Sequence, residues 1–281
     1  MDNRPIGVFD SGLGGLTVLK EIIRAMPYEN IVYFGDSGRA PYGIKSKETV
    51  AGFTFQNIRF LMAQDIKLLV IACNTASAYA YESVKEKLGI PVIEVVRPGS
   101  AAAVAASKKG SIGIIGTPAT IASKVYENAI YSYDKNVKII SKACTLFVPL
   151  VEEGRDWWES DVAERIASVY LSPMRESGID TLVLGCTHYP VLSKVITRTM
   201  GGSVVLISSA LEVAREVRSL IIQSGICNDP EGKAGSSLGS YTGAPQYRFF
   251  TSDSVEKFKS FGGLILDRTL ESVEKINIED F

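Results

Sequence analysis

Two short segments of this chain repeat each other, and each ends in a cysteine and two small or polar residues. One is Leu68-Leu69-Val70-Ile71-Ala72-Cys73-Asn74-Thr75; the other is Thr181-Leu182-Val183-Leu184-Gly185-Cys186-Thr187-His188. A short apolar run that stops at small polar residues is the pattern of a strand buried on both faces, as in a parallel sheet flanked by helices. The repeat extends upstream. Ser111-Ile112-Gly113-Ile114-Ile115-Gly116 mirrors Pro5-Ile6-Gly7-Val8-Phe9, and Cys73 lies 66 residues after Gly7 where Cys186 lies 73 after Gly113. Two strand-to-cysteine units of similar length imply an internal duplication of one α/β module.

Between these landmarks, β-like runs alternate with helical patterns. Residues 15–23 read as a helix, 30–35 as a strand ending in the polar turn Asp36-Ser37-Gly38-Arg39, and 46–64 as a helix leading to the first cysteine strand. Residues 91–96 are expected as a strand stopped by Pro98-Gly99, followed by an alanine-rich helix over 101–106. Residues 203–207 read as a strand and 210–223 as an amphipathic helix. This rhythm predicts an α/β fold: two pseudo-symmetric, doubly wound domains with mainly parallel sheets and a site in the cleft between them. Residues 225–245, rich in Gly, Ser, Asn and Pro, are expected as a surface loop or hairpin connection. A late strand over 247–251 and a helix over 254–261 are expected to return to the first module. The expected boundaries are therefore 1–97 plus 209–281 for a discontinuous first domain and 98–208 for the second.

Composition excludes several classes. At 281 residues, 46% hydrophobic and 22% charged, the chain has the make-up of an ordinary globular protein with material for two cores. A formal charge of −1, from 30 basic and 31 acidic residues, gives no overall field for nucleic acid or anionic membrane. No apolar stretch approaches the ~18–20 residues that cross a bilayer. Met1-Asp2-Asn3-Arg4-Pro5 runs into a strand without a signal-peptide apolar region. The four cysteines, Cys73, Cys144, Cys186 and Cys227, form no CxxC pair, which fits reduced thiols and a cytoplasmic location.

A lone strand-end cysteine is usually a small buried hydrophobe. Packing gives no reason for the same residue to recur at the exposed end of the same strand in both repeats. A disulfide between the two is disfavoured by the reducing context. Zinc on Cys186 and His188 is disfavoured by the i, i+2 spacing and the lack of nearby further ligands. A third option is acid–base chemistry on opposite faces of one carbon, which inverts a stereocentre. Thiolates are favoured at helix N-termini and beside cations, and His188, the only histidine, stands two residues past Cys186. An amino-acid α-proton is less acidic than a thiol by more than roughly ten pKa units, about 14 kcal/mol. Positioning supplies roughly 7–11 kcal/mol. The remainder falls to donors that stabilise enolate-like charge, for which Asn74, Thr75 and Thr187 are placed. The Gly-rich turn Asp10-Ser11-Gly12-Leu13-Gly14-Gly15-Leu16 has Thr17 where a dinucleotide fingerprint needs glycine, and suits a carboxylate-sized anion or a purely structural turn.

Several segments resemble the signatures of the bacterial glutamate racemase family, within the aspartate/glutamate racemases. They are Phe9-Asp10-Ser11-Gly12-Leu13-Gly14-Gly15-Leu16-Thr17-Val18, Pro41-Tyr42-Gly43, Ala72-Cys73-Asn74-Thr75-Ala76, Phe147-Val148-Pro149-Leu150-Val151-Glu152 and Leu184-Gly185-Cys186-Thr187-His188-Tyr189-Pro190. The resemblance covers nearly the whole chain in order. It implies a cofactor-independent, metal-free, two-base isomerase that supplies D-glutamate for peptidoglycan synthesis, cell-wall biogenesis and cell shape. Cys73 would exchange the α-proton on the D-glutamate side, assisted by Asp10. Cys186 would do so on the L-glutamate side, assisted by His188 and Glu152. Substrate would be held by Asp10, Ser11, Pro41, Tyr42, Gly43, Asn74, Thr75, Thr117, Thr120, Thr187 and His188. The implied partner is glutamate, with a homodimer expected and neither nucleic acid nor membrane.

Two rival readings stand beside this one: an aspartate racemase with the same two-thiol logic, and a non-catalytic small-ligand module whose cysteines are core. The chain departs from the family pattern at Glu94 and Arg97-Pro98-Gly99-Ser100, and in Trp157-Trp158, which reads as surface packing, a dimer contact or a pocket lid. Members regulated by a cell-wall precursor carry an N-terminal extension; here Asp10 follows the start closely, and activator dependence is not expected.

Overall fold

The computed structural model describes residues 2–228 and 244–281, so most of the connection expected over 225–245 lies outside the described residues. The first half runs β1 (Ile6–Asp10), α1 (Leu16–Ala25), β2 (Ile31–Gly35), α2 (Lys47–Met62), β3 (Leu68–Ile71), α3 (Asn74–Lys87), β4 (Val92–Glu94) and α4 (Val96–Ala106). The second runs β5 (Ser111–Gly116), α5 (Pro118–Ala122), α6 (Val125–Tyr133), β6 (Lys138–Ala143), α7 (Phe147–Glu152), α8 (Arg155–Trp158) and α9 (Asp161–Glu176). It continues through β7 (Thr181–Gly185), α10 (Ser193–Met200) and β8 (Val205–Ser208). The chain closes with α11 (Ser209–Gln223), β9 (Tyr247–Thr251), α12 (Val255–Leu266) and β10 (Glu274–Lys275).

The strands form two parallel sheets, ordered β10-β9-β2-β1-β3-β4 and β6-β5-β7-β8. The order β2-β1-β3-β4 of one is the order β6-β5-β7-β8 of the other, so the duplication read in the sequence is a duplication of topology. It reaches single atoms. A Cβ on Gly7 would strike Ile66, and a Cβ on Gly113 would strike Ile179. Each isoleucine stands seven residues before its cysteine, and each fills the space a side chain at the glycine would take. β9 lies beside β2 in the first sheet, joined by β10.

β1, β3 and β7 are buried along their whole length, as strands covered on both faces must be. One hydrophobic cluster runs from the first sheet through α1 and α11 into the second sheet, and a second cluster fills the space between the first sheet and α2 and α3. The cleft at the carboxyl ends of the strands is thereby framed by two modules that share a core.

The stretch around Pro98 departs from expectation. The strand stops at Glu94, and the helix starts at Val96 rather than at residue 101. The Glu94 carboxylate accepts the backbone N–H groups of Val96 and Arg97, which otherwise lack partners at a helix start. Pro98 sits in the first turn, where a missing N–H costs nothing. Among the described residues no helix is long and apolar enough to cross a membrane.

Candidate active site

Cys73 and Cys186 stand just past the carboxyl ends of the equivalent strands β3 and β7. Beyond that point their surroundings diverge. Cys73 caps α3, its sulfur accepting the Ala76 N–H at 3.5 Å while the thiol donates to Ser11 Oγ at 3.3 Å. Burial, and then the nearby Asp10 carboxylate, push the Cys73 thiol up to about 12, against the opposing pull of the Ser11 and Ala76 bonds. In this geometry Cys73 holds its proton.

Cys186 faces a different partner. Its sulfur lies 3.8 Å from His188 Nδ1, and His188 Nε2 lies 3.1 Å from Glu152 Oε1. Burial works against charge on His188, but its contacts with Cys186 and Glu152 outweigh it and lift the imidazole to about 10. Burial likewise opposes charge on Glu152, yet the bond and charge of His188, joined by Lys257, hold its carboxyl down at about 2. His188 and Glu152 are therefore a charged pair at neutral pH.

Asp10 is fully buried and does not line the cavity. Burial raises its carboxyl, opposed by the charge of His188 and by the backbone N–H groups of Gly15, Gly12 and Ser11. Its Oδ2 accepts the Gly12 N–H at 3.0 Å, and its Oδ1 accepts the Thr187 hydroxyl at 3.4 Å across the cleft. The Gly-rich turn, expected to suit a small anion, has these donors already taken by the protein's own carboxylate. A glycine is needed at Gly14 because a Cβ there would strike Thr187 and His188, which come in from the other half.

The two cysteines share one cavity with Ser11, Pro41, Tyr42, Gly43, Asn74, Thr75, Thr117, Glu152, Thr187 and His188. Thr120 lies behind this wall, its hydroxyl 3.2 Å from that of Thr75 and 3.0 Å from that of Thr117. The cavity measures about 30 Å³, room for little more than water. An amino acid does not fit the cavity in this closed arrangement.

Two residues that no sequence pattern singled out, Tyr126 and Lys257, complete the surroundings, together with the partners of Tyr42. The Tyr42 hydroxyl donates to Asp36, which also accepts Arg39 Nε at 2.8 Å and Ser252 Oγ at 2.8 Å, so that hydroxyl is already engaged within the first half. Tyr126, from α6, donates to Asn74 Oδ1 at 2.6 Å across the two halves, leaving the Asn74 amide nitrogen free of that bond. Lys257, from α12, reaches Glu152 Oε2 at 2.9 Å. Tyr126 and Lys257 lie on amphipathic helices remote in sequence from their partners, so only the tertiary fold reveals them. Among the described residues no group of three or more His, Cys, Asp or Glu side chains is arranged to hold a metal ion.

Comparison with known proteins meets this geometry. The sequence pattern described as Asp/Glu/Hydantoin racemase matches residues 6–217. The glutamate racemase of Geobacter metallireducens is 46% identical over 276 residues, covering 98% of this chain and 97% of its own length. The chain belongs to the glutamate racemase family. The structure of the family member from Francisella tularensis, solved in complex with D-glutamate, matches with a TM-score of 0.90 at 37% identity over 100% of both chains. An aspartate racemase from Picrophilus torridus shares the fold alone, at a TM-score of 0.55 and 18% identity over 79% of this chain and 94% of its own. The family is one of isomerases, and the two-sheet α/β architecture is its fold.

Proposed function

We propose that this chain interconverts L- and D-glutamate by exchanging the α-proton between the substrate and two thiols, without a cofactor. The observation that carries this reading is the presence, in one cavity, of two cysteines at equivalent strand ends with unlike proton partners. With L-glutamate bound, Cys186 as thiolate takes the α-proton on one face and becomes a thiol, with the charged His188, paired with Glu152, beside it. The enolate-like oxygen is stabilised by donors at the strand ends, among them Asn74, Thr75 and Thr187. Cys73 then delivers its proton to the opposite face, which releases D-glutamate and leaves Cys73 as thiolate and Cys186 as thiol.

The reverse direction needs the Cys73 thiolate, which burial disfavours. The α-ammonium of a bound amino acid brings to that side the cation that it otherwise lacks, and an opposite charge within a few ångströms favours the ionised thiol. Substrate binding is thus part of activating Cys73, whereas Cys186 has His188 beside it from the outset. Carboxylate groups of the substrate meet the hydroxyls of Ser11, Thr75, Thr117 and Thr187 and the backbone amides of the strand-to-helix turns.

The same reading places the chain in the cytoplasm as a homodimer supplying D-glutamate for peptidoglycan, supported by its likeness to glutamate racemases over nearly its full length. The test is direct. Circular dichroism of L-glutamate should decay to zero when the protein is added with no cofactor. Decay with L-aspartate but not L-glutamate would transfer the reading to aspartate. A requirement for pyridoxal phosphate would exclude the two-thiol mechanism.

A further inference from the structure

We propose that α12 is a positioning element for the Cys186 side of the site alone, with Lys257 the positioning residue that holds Glu152, and through it His188, in place. The proposal rests on Cys186 acting as a base, as argued above. α12 is tied to the first half: Phe258 packs edge-on against Tyr33 at 5.8 Å and at a tilt against Phe249 at 6.2 Å. From that anchored helix, two residues four apart, and so on one face, reach the second half. Lys257 Nζ meets Glu152 Oε2 at 2.9 Å, and the Phe261 ring stands 6.3 Å from the His188 ring and 6.4 Å from that of Trp158.

Trp158 in turn donates its indole N–H to the Val151 carbonyl at 2.8 Å, one residue before Glu152. The second tryptophan of the Trp157-Trp158 pair thus joins α12 to the helix that carries Glu152. Glu152 has two oxygens and two partners: His188 on Oε1 and Lys257 on Oε2. With both engaged, the carboxylate has one orientation. Without Lys257 it can swing toward solvent, and His188 loses the partner that fixes its ring.

Among the described residues, the Cys73 thiol has no hydrogen-bond partner from the other half. Its hydrogen-bond partners, Ser11 and Ala76, both belong to the first half. The Cys186 relay, by contrast, is complete only when the two halves lie close enough for α12 to touch α7. Parting of the halves would therefore break a hydrogen bond within the Cys186 relay, whereas the hydrogen bonds of the Cys73 thiol itself lie within the first half.

Rate alone cannot test this, because enantiomers are equal in free energy and kcat/KM must fall equally in both directions. Primary isotope effects on kcat/KM, measured with α-deuterated L- and D-glutamate, do separate the two proton transfers. In Lys257→Met, kcat/KM should fall about fivefold, the scale of a half-exposed ion pair. The isotope effect should rise with L-glutamate, as transfer to Cys186 becomes more limiting, and fall with D-glutamate. Lys257→Arg should restore both effects and bring kcat/KM within about twofold of the parent. Thermal unfolding of Lys257→Met should match the parent, since the side chain is half-exposed. Isotope effects that stay unchanged, or shift alike for both enantiomers, would overturn the positioning role. A parent protein that does not racemise glutamate would instead overturn the reading beneath it.

Discussion

The Cys73 half and the Cys186 half of this molecule share strand order, buried strand sequences and the placement of a thiol at a strand end, yet they differ in every proton partner of that thiol. At the position that ends β1 the first half has Asp10; the equivalent position ending β5 is Gly116. Two residues past the thiol the first half has Thr75; the second has His188. Thr75 joins a chain of hydroxyls with Thr117 and Thr120, whereas His188 pairs with Glu152. Duplication supplies two bases facing one cavity. Divergence at two or three strand-end positions gives each base its own chemistry, while the buried strands that carry them remain interchangeable in pattern.

The largest effect expected from breaking this comparison comes from the thiols themselves. Cys73→Ser and Cys186→Ser should each slow racemisation by roughly 10²–10⁴-fold, the range for loss of a positioned acid or base, followed as decay of circular dichroism. If either variant racemises at the parent rate, the thiol it removes is core and not chemistry.

The next effect separates the halves. His188→Asn should lower kcat by about 10²-fold and should remove any alkaline decline tied to the imidazole. Its folded pKa, about 10, stands above the ordinary 6.5, so the stability it contributes is complete below about 6.5 and is lost as pH rises through about 10. The gap in melting temperature between parent and His188→Asn should therefore shrink as pH is raised from neutrality to about 10. A gap that widens over that range would contradict the charged His188–Glu152 pair.

The smallest effect is one in which the halves should agree. Gly7→Ala and Gly113→Ala place a methyl group against Ile66 and Ile179 in turn, and each should cost about 1–3 kcal/mol in thermal or denaturant unfolding. Similar losses would show that the duplicated framework is mechanically equivalent on both sides. A loss on one side only would place the asymmetry in the scaffold as well as in the site.

Much of this arrangement is legible in the chain. The apolar runs before Cys73 and Cys186 announce central parallel strands, and the two glycine-to-cysteine spacings announce the repeat. β6 is harder to read: Lys138-Ile139-Ile140-Ser141-Lys142-Ala143 lies at the edge of its sheet, half-exposed and carrying lysines, so it lacks a continuous apolar run. The cavity-lining residues sit next to one of the cysteines or in turns that the resemblance marks. Their roles within the site are less local. Asp10 accepts the Gly12 N–H of the turn that it begins, and Tyr126 and Lys257 reach across the cleft, where no spacing along the chain records the contact. The start of α4 was hidden for a similar reason, because Glu94 supplies a cap that a Pro-containing segment does not announce.

The most direct test of two bases with separate faces is hydrogen exchange at the substrate α-carbon in deuterated water, followed by NMR for each enantiomer with each serine variant. Cys186→Ser, retaining Cys73, should exchange the α-proton of D-glutamate and leave that of L-glutamate in place. Cys73→Ser should do the reverse. Loss of exchange from both enantiomers in both variants, or exchange of both enantiomers in either one, would contradict the assignment of one thiol to each face.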